Sequence, residues 1–111
     1  MKWIEFVHLR SSPEGRRRSL SDLDVQIARY RDVEHLTGLM VLRHSIYPGD
    51  GAVVLSWENE RQPVKTREGT SLAEIMRRHG SVEHAVWEVV SGQEPDAVTP
   101  VPQRDPTNKG R

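Results

Sequence analysis

Leu39-Met40-Val41-Leu42-Arg43-His44-Ser45-Ile46-Tyr47, then Pro48-Gly49-Asp50-Gly51, then Ala52-Val53-Val54-Leu55-Ser56-Trp57-Glu58 is the stretch from which the fold can be read. Two runs rich in β-branched and large apolar residues flank a cluster of turn formers, the signature of a β-hairpin. Strands are predicted over 39–47 and 52–58. Neither run alternates cleanly between apolar and polar side chains. In the first, Leu39, Val41 and Tyr47 oppose Met40, Leu42 and Ile46; in the second, Val53, Leu55 and Trp57 oppose Ala52 and Val54. A strand in a sheet with one wet face alternates. This hairpin has two faces to cover.

Upstream, Trp3-Ile4-Glu5-Phe6-Val7-His8-Leu9-Arg10 reads as another strand, broken by Ser11-Ser12-Pro13-Glu14-Gly15. Leu20, Leu23, Ile27 and Tyr30 then recur at helical spacing. Ser19 or Ser21 can cap that helix, each followed three residues on by an aspartate, and Gly38 is a natural stop. Downstream, Asn59 to Gly69 is a long polar connection carrying Pro63. Ser71 and Glu74 form a capping box that opens a second helix, with Leu72, Ile75, Met76 and His79 on its inner face and Gly80 at its end. Val82 to Val90 is the last strand. The order β-α-β-β-α-β predicts an α+β, ferredoxin-like fold: a four-stranded antiparallel sheet carrying both helices on one face.

The first and last strands are two-faced as well. Trp3, Val7 and Leu9 oppose Ile4 and Phe6, while Val82, Val86 and Val90 oppose Ala85, Trp87 and Val89. Two helices cover one face. Apolar patches of that extent are seldom left in water, and two-fold dimers are the commonest oligomers, so a homodimer joined through the second face is expected.

The chain has 111 residues with 16 Lys+Arg against 16 Asp+Glu, which fits one domain and a formal charge of zero. Its 35% apolar content is unevenly spread. From Ser91 to Arg111 the apolar side chains besides proline are Ala97, Val98 and Val101, and Pro95, Pro100, Pro102 and Pro106 fall there too. A domain over residues 1–90 followed by a flexible Pro-rich tail over 91–111 is therefore expected. Zero net charge argues against a nucleic-acid binder that neutralises phosphates. Without cysteine there is no disulfide, zinc ribbon or thiol nucleophile. No apolar run approaches the roughly 18–20 residues needed to span a bilayer. Met1 leads straight into a charged, alternating stretch without a signal-peptide h-region, so the expected compartment is cytoplasmic, with no membrane partner.

The element order and two-faced sheet resemble the dimeric α+β barrel superfamily, whose best-known branch is the antibiotic biosynthesis monooxygenase-like domains. The resemblance rests on the strand Trp3–Arg10, the Ser56-Trp57 pair ending a middle strand, and the block His79-Gly80-Ser81-Val82-Glu83-His84-Ala85-Val86-Trp87. It covers residues 2–90. It implies two subunits packed sheet against sheet, with a pocket between sheet and helices in each. Some members oxidise aromatic polyketides without a cofactor, others degrade haem, and many have no assigned activity. The haem-degrading pattern, a strand-1 asparagine with a helical Trp and His, is missing here: His8 stands in the strand and the helix offers His79. No cofactor is expected.

Candidate chemistry centres on His8, His44 and His84, all on predicted strands. Their spacing contains no local metal chelate, so no metal is expected. Imidazole suits a general base near neutral pH, which singles out His8 and His84 as candidate catalytic residues. The competing role is hydrogen bonding to a carboxylate, and Glu5, Glu58, Glu83 and Glu88 are close in sequence. His44, Trp57 and Trp87 are candidate pocket-lining residues, although large aromatics on strands more often pack in cores. Arg16-Arg17-Arg18 reads as a solvated loop. Arg61, Lys65 and Arg67 lead into the helix capped by Ser71, a weak anion-site signal, and their connection is the natural lid if a pocket exists. Two functions are therefore expected in competition. One is a homodimer that binds, or oxidises without a cofactor, a small apolar or aromatic molecule; the other is a non-catalytic dimeric binding or assembly module.

Overall fold

A computed structural model describes residues 1–92. The expected tail over 91–111 thus falls almost wholly outside the described residues. The elements are β1 (Lys2–Arg10), α1 (Pro13–Arg29), β2 (Leu36–Arg43), β3 (Asp50–Glu58), α2 (Arg67–Arg77) and β4 (Ser81–Glu88). They form one four-stranded sheet in the order β2-β3-β1-β4, antiparallel throughout, which is the ferredoxin-like arrangement. Among the described residues no helix is long and apolar enough to cross a membrane.

Strand alternation decides what each face carries. Trp3, Glu5, Val7 and Leu9 of β1 point to the helices, opposite Trp57, Leu55, Val53 and Gly51 of β3. There they meet Leu23 of α1, Tyr30 at its C-cap, and Leu72, Ala73 and Met76 of α2 in one buried cluster. Burying a side chain such as Leu9 or Leu55 contributes about 1.5–3 kcal/mol. Trp3 and Trp57 face each other across the strand pair, stacked with ring centroids 5.6 Å apart.

The other face is open. Ile4, Phe6 and His8 of β1 stand beside Val54 and Ala52 of β3, Met40 and Leu42 of β2, and Ala85 and Trp87 of β4. Met40 is 54% exposed, Leu42 40% and Trp87 63%. The two-faced strands read from the sequence are therefore present, with one face uncovered in the single chain.

Both helices begin earlier than expected. Ser12, not Ser19 or Ser21, caps α1: its Oγ accepts the Gly15 N–H at 2.9 Å and Pro13 takes the first helical position, where its missing N–H costs nothing. Thr66, not Ser71, caps α2, accepting the Gly69 N–H at 2.9 Å. Each expected cap sits inside the helix, five to nine residues downstream. As a result Arg16-Arg17-Arg18 lies in α1 rather than in a loop. Arg16 is buried and its Nε donates to the Pro48 carbonyl at 2.6 Å, while Arg18 pairs with Glu14 one turn back at 2.8 Å. Gly38 does not stop α1, which ends at Arg29; it lies in β2 opposite Ser56, next to a bulge.

Candidate functional site

The most unusual residue of the core is Glu5, fully buried on the helix side of the central strand β1. Each carboxylate oxygen accepts two hydrogen bonds. Oε1 receives Trp57 Nε1 at 2.9 Å and Thr66 Oγ1 at 2.5 Å; Oε2 receives the Thr66 N–H at 2.9 Å and lies 2.7 Å from His84 Nε2. A carboxylate is acceptor-only, so His84 donates through Nε2. Glu5 also abuts Gly69, where an added Cβ would strike Oε2. The first turn of α2 thus has its anion already, supplied by the protein's own β1.

The three candidate histidines do not meet. His84 faces the helices with its side chain 4% exposed, sealed behind Glu5. His8 is on the open face, since the register sets Val7 opposite His84 and His8 opposite Glu83. Its Nε2 lies 3.3 Å from Asp50 Oδ2 and its Nδ1 3.9 Å from Glu83 Oε1. The pairing of histidines with Glu5 and Glu83 is as the sequence suggests; Asp50 is an addition. His44 lies just past β2, where its Nδ1 accepts the N–H groups of Ile46 and Tyr47, both at 3.0 Å. His8 and His44 share a shallow cleft of about 230 Å³ on the open face with Phe6, Leu42 and Ala52. Among the described residues no group of three or more His, Asp or Glu is arranged to hold a metal ion.

A larger groove, about 570 Å³, lies at the other end of the sheet on the helix side. Trp3 and Trp57 border it from the core, 2% and 5% exposed, with their indole N–H groups committed to Asn59 Oδ1 (3.1 Å) and to Glu5. One wall is the connection between α1 and β2, with Val33 and His35; the other is the connection between β3 and α2, with Arg61, Val64 and Lys65. Asn59 pins that second wall by also accepting the Arg61 N–H at 3.0 Å. His35 has a left-handed backbone, φ 71°, which costs a non-glycine residue about 1–2 kcal/mol. Its carbonyl accepts the Glu58 N–H at 3.0 Å. Trp57 is thus at the groove, whereas Trp87 stands on the open face opposite Ile4.

Sequence reasoning missed Thr66, Asn59 and His35, and named Glu5 as a histidine partner without its burial or its other donors. Glu5 left a signal: it interrupts the apolar run Trp3, Val7, Leu9 on the core side of β1. Nothing local marks His35 or Asn59.

No protein-family model matches the chain, and no curated protein does. Solved structures match well in shape. A candidate antibiotic biosynthesis monooxygenase from Caulobacter crescentus CB15 superposes with TM-score 0.60 at 10% identity, covering 81% of this chain and 91% of that one. A second, from Deinococcus radiodurans, gives 0.60 at 14% identity, covering 83% and 94%. A conserved protein of unknown function from Bacteroides thetaiotaomicron VPI-5482 gives 0.61 at 13%, covering 78% and 96%. At such identities the likeness is one of fold, and in fold this chain is antibiotic biosynthesis monooxygenase-like, as its strand blocks suggest.

Proposed function

We propose that the protein is a homodimer, joined through its open sheet face, that binds a small apolar or aromatic molecule in the groove beside Trp3 and Trp57. One observation carries the ligand reading. The groove is of a size usual for small-molecule sites, about 570 Å³, and lies between two loop walls against the buried Trp3–Trp57 pair. What it offers a ligand is the mixed surface of its walls, Val33 and Val64 beside Arg61 and Lys65, since Trp3 and Trp57 beneath are 2% and 5% exposed. The test is titration with naphthalene-sized aromatics while backbone amide shifts are followed. Shifts confined to residues 33–35 and 59–67 support the reading; a dimer that binds none of the panel makes the protein an assembly module.

A catalytic reading belongs elsewhere on the molecule. His84 is sealed behind Glu5, so proton transfer to a ligand falls to His8, which Asp50 orients beside Phe6 and Leu42 in the open-face cleft; that cleft lies on the face a second copy covers, so the reaction site is one of the dimer seam. If that reading holds, His8→Gln abolishes turnover of an acidic C–H or phenol substrate and leaves binding in the Trp57 groove unchanged. Equal loss in both sinks it.

A further inference from the structure

We infer that Gly38 keeps open a socket on the open sheet face for Trp87 of a second copy of the chain; this rests on the dimer being joined through that face. Glycine weakens a strand interior and commonly marks a close approach by another group. At Gly15, Gly49, Gly51, Gly69 and Gly80 the chain itself gives the reason, because an added Cβ would come within 3.2 Å of another of its atoms. Gly92 has a positive φ of 148°. Gly38 has neither reason. Its φ is not positive, although a bulge adjoins it, and an added Cβ would lie 3.5 Å from Ser56 Cβ, an ordinary contact. Among the described residues, then, nothing requires this glycine, and the need for it lies outside the chain. It borders a depression of about 460 Å³ at one end of the open face, beside Ile4 and Ser56.

The same face supplies what fits. Gly38, Ser56, Ile4 and Trp87 stand in one row across the sheet, with Gly38 on the edge strand β2 and Trp87 on the edge strand β4. Three strand spacings, about 14 Å, separate the two, so Trp87 does not reach the socket of its own chain. It stands 63% exposed. A two-fold axis parallel to the strands, between two facing sheets, exchanges the edges and keeps the rows. Each Trp87 then lies over the other copy's Gly38, and one knob and one socket per chain serve both contacts. The Ser56 hydroxyl gives the indole N–H an acceptor there. At the far end the same axis sets Asp50 of β3 against the partner's Arg10 of β1, opposite in sign. An axis across the strands would instead bring the apolar end onto the polar one, Ile4 toward the partner's Arg10. Four strands by eight residues make a face of about 19 Å by 26 Å, about 1,000 Å² for two copies, the size at which specific interfaces begin.

The experiment is a sedimentation series over concentration on the full chain, on Gly38→Trp, which fills the socket, and on Trp87→Gly, which removes the knob. Each variant alone is expected to weaken the dimer by about thirtyfold or more, as loss of a tryptophan anchor does. Both keep the amide spectrum of the folded chain, since the single chain has room for a Cβ at 38. Gly38→Leu fills the socket in the same way if the larger side chain unfolds the chain. Mixed in equal amounts, the two variants are expected to regain the strength of the unaltered dimer, as one-to-one heterodimers by native mass spectrometry. The knob of one chain then meets the open socket of the other, and the filled socket meets the space left by the removed knob. Either variant dimerising as tightly as the unaltered chain overturns the inference and leaves the dimer standing; so does a mixture no tighter than its parts. An unaltered chain that stays monomeric at micromolar concentration overturns the dimer and the socket together.

Discussion

Glu5 brings a carboxylate to a place where the surrounding side chains are otherwise apolar, and four donors meet it there. A buried acceptor so fully used is costly to remove, because Trp57, Thr66 and His84 would all lose their partner at once. Glu5→Ala is expected to lower stability by about 3–5 kcal/mol, read as a fall in the urea midpoint. Glu5→Gln should not rescue it, since the amide NH₂ would face donors on one of its two sides. Full retention of stability in either variant would mean that the network contributes nothing. His35 is the opposite case, a residue whose backbone opposes its own identity. Glycine has no penalty at φ 71°, so His35→Gly should raise stability by up to about 1 kcal/mol, visible as a higher Tm.

At the scale of elements, both helices open with the same four-residue pattern, Ser12-Pro13-Glu14-Gly15 and Thr66-Arg67-Glu68-Gly69. In each the hydroxyl caps the glycine N–H, and the glycine lets the first turn lie flat against a neighbour. An added Cβ at Gly15 would strike Ser11 and come within 3.1 Å of the His79 carbonyl; at Gly69 it would strike Glu5. Gly69→Ala therefore tests packing against propensity. Helix propensity alone favours alanine by about 1 kcal/mol. The clash should outweigh that gain and leave a net loss of about 1–3 kcal/mol by denaturant titration. These openings explain what could be read from the sequence. The hairpin, the strand faces and the helix existence are periodic, and were legible in the spacing of Leu, Val and Trp. The caps are not legible because a Ser with an acid three residues on matches the usual box, whereas here the third residue is glycine, set against a contact distant in sequence. The groove was legible in its pieces, Trp57 and the polar connection, but not in its assembly. His8 and His84 were separated by parity: an even number of strand positions from a core residue means one face and an odd number the other, and only the strand pairing tells which face each occupies.

For the whole molecule, the open face sets the behaviour. Phe6, Met40, Leu42, Val54 and Trp87 lie on it, and Met40, Leu42 and Trp87 are substantially exposed in the single chain. If a second copy covers them, Tm rises with protein concentration, because association stabilises the folded chain by mass action. Leu42→Glu together with Trp87→Glu should give a monomer by sedimentation, with a Tm independent of concentration. Sedimentation of the unaltered chain as a stable monomer at micromolar concentration would sink the dimer.

A sheet that is apolar on both sides raises a problem for its own assembly. Sliding β1 by one residue against β3 and β4 turns every side chain to the opposite face, and strands usually resist this because a polar face would become buried. Here Ile4 and Phe6 would simply exchange places with Val7 and Leu9, and hydrophobicity would hardly object. Glu5 objects. In the slipped pairing its carboxylate would leave Thr66, Trp57 and His84 unmatched, and His8 would turn from Asp50 toward the helices, so the polar pair Glu5 and His8 fixes which alignment of the central strand is native. Replacing Glu5 with leucine keeps the greasy content of the strand and erases half the mark by which the chain counts, and duplicated amide resonances along residues 2–10 would be the trace of that lost count.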